Sequence, residues 1–82
     1  MALSVSLQKV DETPRYCLYD LGAGDAAAAR LKLYKPSGDV EVVRLSDDAL
    51  PARPPFYLAQ GIPRLHRYHE QNRYPDHDEW TA

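Results

Sequence analysis

Ala29-Arg30-Leu31-Lys32-Leu33-Tyr34-Lys35-Pro36-Ser37-Gly38-Asp39-Val40-Glu41-Val42-Val43-Arg44-Leu45 is the stretch whose reading decides the fold. Side chains of alternating polarity flank a Pro-Ser-Gly centre, the pattern of a β-hairpin. Pro36 presets φ for a turn, Ser37 tolerates the next position, and Gly38 supplies a positive φ, as in a type I turn closed by a one-residue bulge. The three-residue loop that results sets Lys35 opposite Asp39, Tyr34 opposite Val40, Leu33 opposite Glu41, Lys32 opposite Val42 and Leu31 opposite Val43. Leu31, Leu33, Val43 and Leu45 then share one face, while Arg30, Lys32 and Arg44 take the other. The first face is the expected core side, because a one-residue slip would bury the cations and expose the leucines.

Working outward toward the amino terminus, Leu3, Val5 and Leu7 alternate with Ser4, Ser6 and Gln8, which predicts a first strand. Asp11-Glu12-Thr13-Pro14 carries turn chemistry. Arg15 to Leu21 follows as a second strand, and both of its parities hold apolar groups, so its inward face stays open. Gly22-Ala23-Gly24-Asp25 and the four alanines after it predict a flexible connection holding at most one turn of helix capped by Asp25. Gly22 and Gly24 do not make a phosphate-binding loop, since the third glycine, a long following helix and a βαβ setting are missing.

Prolines 51, 54, 55, 63 and 75 divide the carboxy-terminal part. Residues 51–61 are expected as an extended, proline-rich strap, and Pro63 suits the first turn of a short helix over 62–72 with Ile62, Leu65 and Tyr68 on its apolar stripe. Residues 75–82, rich in acidic groups, are expected as a mobile tail. The fold class is therefore α+β: a four-stranded antiparallel sheet of two hairpins, a Pro-rich strap and one short C-terminal helix, forming a single β-rich domain over 1–74.

Eighty-two residues, 44% of them hydrophobic, suffice for one domain and not for two. A single cysteine, Cys17, rules out an internal disulfide framework and points to a reducing compartment, so a cytoplasmic setting is expected. No basic cluster followed by a long apolar run predicts a secretory signal, and nothing predicts a membrane span.

Catalytic chemistry is not expected. No nucleophile elbow ties serine, cysteine, histidine and aspartate together, and the adjacent carboxylates Asp47 and Asp48 point apart on a strand and suit a turn or cap better. His66 and His69 share a helical face near His77, but zinc sites of this kind normally include cysteine, so neither metal nor cofactor is expected. Two binding readings remain. In the leading one the chain is a non-enzymatic protein-binding adaptor or regulatory domain, anchored on a partner by Trp80 with Tyr74 and Tyr68, or by a free sheet edge, as a monomer or an edge-paired homodimer. The alternative partner is single-stranded nucleic acid, held by Arg53, Arg64, Arg67 and Arg73 with Tyr57 interleaved. The net charge of −2 weighs against the alternative.

Overall fold

Five strands and one helix follow the order β1 (Ser4–Glu12), β2 (Tyr16–Ala23), β3 (Ala26–Tyr34), β4 (Val40–Leu45), α1 (Pro54–Gln71) and β5 (His77–Thr81). The computed structural model describes residues 3–24, 26–45 and 52–82. Asp25, Asp47, Asp48 and Pro51, to which a cap, a turn and the start of the strap were assigned above, lie outside the described residues. The fold is α+β, and every adjacent strand pair is antiparallel. The sheet order β4-β3-β2-β1-β5 makes the first four strands a meander. After the helix crosses one face, β5 returns to the far edge beside β1.

The two hairpins join through β2 and β3 into one sheet, as expected. β2 and β3 pair from Tyr16–Tyr34 to Ala23–Ala26, so the alanine run is strand from Ala26 onward and forms no helical turn. The β1–β2 turn is held by the Thr13 hydroxyl, which accepts the Arg15 and Tyr16 N–H groups at 3.1 Å each. The open question about β2 is settled by its burial. Cys17, Tyr19 and Leu21 are fully buried on the helix side, and Tyr16 and Leu18 are half-buried on the other.

The deciding hairpin forms with a different register. The Gly38 N–H donates to the Tyr34 carbonyl at 2.7 Å and the Tyr34 N–H to the Asp39 carbonyl at 2.8 Å, so four residues, 35–38, loop out instead of three. Leu33 therefore pairs with Val40, Lys32 with Glu41 and Leu31 with Val42. A bulge then absorbs Val43, and the pairing resumes as Arg30–Arg44 and Ala29–Leu45. Gly38 is specific to this turn: its φ is +80°, and a Cβ there would stand 2.7 Å from the His69 ring. Leu31 and Leu33 are fully buried as expected, but Val43 and Leu45 are exposed. β4 is an edge strand, and every one of its residues after Val40 is exposed.

Helix α1 starts well before the expected point and replaces the strap. Pro54 and Pro55 occupy its first turn, where no N–H is needed and a fixed φ is pre-organised. Pro63 lies inside it, on the exposed side, as does Ala59, whose carbonyl loses its N–H partner to the proline ring. Tyr57, Gly61, Leu65 and Tyr68 form the buried stripe. Gly61 lets the helix close on the sheet, since a Cβ there would sit 2.7 Å from a methyl of Leu21. The helix ends at Asn72 in the left-handed region, φ 52°; the Asn72 N–H bonds to His69 and the Arg73 N–H to Tyr68, both at 3.1 Å. Burying Leu65 completely contributes about 1.5–3 kcal/mol.

Residues 75–82 are not a free tail, because His77–Thr81 pairs with β1 from Gln8–His77 to Ser4–Thr81. Asp78 and Trp80 point toward the helix and make the segment a strand with one dry side. Beyond the last pair, Leu3 and Ala82 exchange two backbone hydrogen bonds of 2.7 and 3.1 Å. No helix among the described residues is long and apolar enough to cross a membrane.

Candidate functional site

The side of the molecule around Trp80, Tyr68 and Tyr74 is occupied by contacts within the chain. The Trp80 indole N–H donates to the Gln60 side-chain carbonyl at 3.3 Å, and the Arg64 guanidinium stacks 4.2 Å from its ring centre. Tyr68 is buried and its hydroxyl donates to Asp78, toward which Arg64 also reaches at 3.7 Å. Burial first and then the hydrogen bond to Asp78 push the Tyr68 phenol well above its usual range, so it stays protonated. These five side chains fasten β5 to α1. Tyr74 is half-buried, with the Lys35 ammonium 4.9 Å from its ring centre.

The arginine and tyrosine set is dispersed. Tyr57 is fully buried and has no ring face for a base, and Arg64 is engaged as described. Arg53, at the N-cap, and Arg73, beyond the C-terminal end, are separated by an 18-residue helix of about 27 Å; Arg67 lies exposed between them. The histidines do not converge either. His66 and His77 are exposed, and a His69 ring nitrogen lies 2.9 Å from the Lys35 carbonyl oxygen. Among the described residues no group of three His, Cys, Asp or Glu side chains is placed to hold a metal ion.

A charged cluster seals the end of the sheet where the β1–β2 turn meets the helix. Lys9, nearly buried, donates to Glu12 at 2.7 Å and to the Tyr74 carbonyl at 3.0 Å, and pairs with Asp76 at 2.9 Å. Lys35 holds the second oxygen of Glu12 at 2.6 Å. Hydrogen bonds from Lys35 and Lys9 pull the Glu12 carboxyl down to about 2, and the hydrogen bonds that Lys9 gives to Glu12 and Asp76 hold its ammonium above its usual range. Burial lifts the Cys17 thiol to about 11, with the Glu12 charge adding to it, so Cys17 is an inert apolar side chain.

Two further surfaces among the described residues bear on binding. On the sheet face opposite the helix, Tyr16 and Tyr34 stand directly across from one another, and the Lys32 ammonium lies 4.3 and 5.0 Å from their ring centres. With Arg15, Pro36, Ser37 and Asp39 they line a shallow groove of about 520 Å³. Beside it Arg30 forks onto Asp20 at 2.8 and 3.2 Å, and the Tyr34 hydroxyl donates to Glu41 at 2.8 Å.

The second open surface is β4. Val10, Val42, Val43 and Leu45 are the exposed large apolar residues among those described, at 44, 42, 47 and 57%, and three of the four belong to this strand. Among the described residues no strand lies beyond it. Comparison of the chain with protein-family models, with curated proteins and with solved structures gives no match. The two surfaces must therefore be weighed on their own chemistry. The groove is small and mixed in charge, with Arg15 and Lys32 against Asp39. The edge offers an apolar row and backbone groups that need partners. Its signal in the sequence is the doublet Val42-Val43, two adjacent branched residues that interrupt the alternation and mark the bulge.

Proposed function

We propose that this chain is a small protein-binding domain without catalytic chemistry of its own, and that it docks an extended segment along the outer edge of β4. An edge strand offers a ladder of backbone donors and acceptors, and a segment added antiparallel to it gains main-chain hydrogen bonds while side chains on alternate positions give selectivity. The supporting observation is the concentration of exposed Val42, Val43 and Leu45 on this one six-residue strand. Sheet edges are usually blunted by charge or proline, and β4 offers only Glu41 and Arg44 for that purpose. Trp80 has no part in this docking, because its ring is engaged in fastening β5. One buried cysteine and no disulfide framework suit work in a reducing compartment such as the cytoplasm.

Placing a photo-crosslinking residue at Val43 of the full chain, with Thr81 on the opposite edge as control, tests the reading. Adducts formed at position 43 and not at 81 are expected. Absent adducts at 43, or equal yields at the two sites, would remove the β4 edge as the docking element.

A second reading rests on the cross-strand tyrosines beneath Lys32, which resemble in chemistry the aromatic and cationic platforms that hold single-stranded nucleic acid. It expects oligonucleotide binding that falls steeply with salt and weakens on Tyr16→Ala or Tyr34→Ala by about 1–3 kcal/mol per stacked base. Weakening on Arg67→Ala instead would assign binding to the helix, and no binding in low salt dismisses both.

A further inference from the structure

We propose that the segment docking on β4 is β4 of a second copy of this chain, paired antiparallel about a two-fold axis so that Val40 faces Leu45, Glu41 faces Arg44 and Val42 faces Val43 of the other copy. This rests on the edge-docking reading above and names its partner. A two-fold axis that pairs antiparallel edges runs perpendicular to the sheet, so both helices stay on the same side and residues facing each other must share a face. The faces of β4 are fixed by its neighbours in β3. Val40, Val42 and Leu45 stand opposite Leu33, Leu31 and Ala29 on the helix side; Glu41 and Arg44 stand opposite Lys32 and Arg30 on the open side.

In a regular strand, a symmetric pairing of residues 41 and 44 is forbidden, because an odd separation puts them on opposite faces. The extra residue at Val43 shifts the parity. Glu41 and Arg44 now lie on one side, and so do Val40 and Leu45. Neighbouring registers fail this rule: pairing residue 42 with itself sets Val40 on the helix side against Arg44 on the open side, and pairing 43 with itself sets Glu41 against Leu45. In the register that engages all six residues, Val40 with Leu45 and Glu41 with Arg44 therefore agree in face, Val42 meets the bulged Val43, and the two charges form opposite-sign pairs twice over. A bulge on an edge strand usually blunts pairing. Here it makes the strand self-complementary, and the paired sheets would form one ten-stranded sheet with both open faces on one side.

The test uses the full chain in sedimentation equilibrium over a concentration series, with native mass spectrometry to identify species. The wild-type chain is expected to dimerise as concentration rises. Glu41→Arg and Arg44→Glu, each alone, place like charges in contact at both symmetric positions and should weaken self-association roughly tenfold. Mixed in equal amounts, the two variants should form a heterodimer, since every contact across that interface is again of opposite sign. Recovery on mixing also excludes misfolding as the cause of either loss. A wild-type chain that stays monomeric overturns the proposal. So does a dimer indifferent to both reversals, or a mixture that fails to pair. Crosslinks from position 43 to a different protein, with a monomeric wild type, would overturn self-pairing while leaving the edge-docking reading standing; no crosslinks at all would remove both.

Discussion

Glu12 is the residue on which the closed end of the sheet depends. Its carboxylate accepts from Lys9 and Lys35, and those ammonium groups also contact Asp76 and the Tyr74 ring, so one side chain ties β1, the β3–β4 turn and the segment before β5 together. Because its pKa falls from 4.5 to about 2 on folding, its contribution is fully present above pH 4.5 and is lost as the pH drops toward 2. Urea unfolding of Glu12→Gln beside the wild type should show a deficit at pH 7 that disappears near pH 2; a deficit independent of pH would mean the carboxylate charge is not what matters. No local sequence pattern marks this role, since the partners lie 3, 23 and more residues away and meet only when the turn and the helix end are in place. Tyr57 is similar. Its spacing among aromatics and arginines suggests an exposed ring, whereas helical periodicity from Tyr57 through Gly61 to Leu65 carries it inward, where its hydroxyl finds no partner among the described residues.

At the level of elements, the meander was legible and the helix was only half so. Alternation in β1 and β3 is strong enough to survive any context, because each strand has one dry and one wet face. The helix start was hidden by its prolines. Pro54 and Pro55 read as an extended strap when taken alone, yet both are tolerated in a first turn, and the stripe Tyr57, Gly61, Leu65, Tyr68 becomes visible only if the helix is allowed to run through Pro63. Pro63→Ala should accordingly raise stability by about 1–3 kcal/mol, since it restores a backbone donor at an exposed position without touching the core. Thermal melts will check it, and a lowered midpoint would show that the helix needs the ring there. β5 was hidden for another reason. Five residues of mostly polar sequence after a proline carry little local signal, and the strand exists through the anchoring of Asp78 and Trp80 on the helix. The register of β4 failed for want of one residue, the fourth in its loop, and that residue decides which valine bulges.

On the scale of the whole molecule, one helix packs on one face of the sheet, leaving the opposite face and the β4 edge as the surfaces on which the two proposed readings rest. The candidate site was legible only in part, because an exposed edge is a property of strand order, and strand order depends on where β5 inserts. That insertion beside β1 also closes the sheet's sequence into a near ring, with Leu3 and Ala82 hydrogen-bonded as neighbours. A short bridge could therefore join them covalently while the chain is cut open elsewhere, for instance within the Thr13–Arg15 turn, without displacing any strand. A permuted molecule of that kind would keep its architecture although the first residue synthesised now belongs to β2. Reporter groups attached at positions 3 and 82 would lie side by side, far across the sheet from β4.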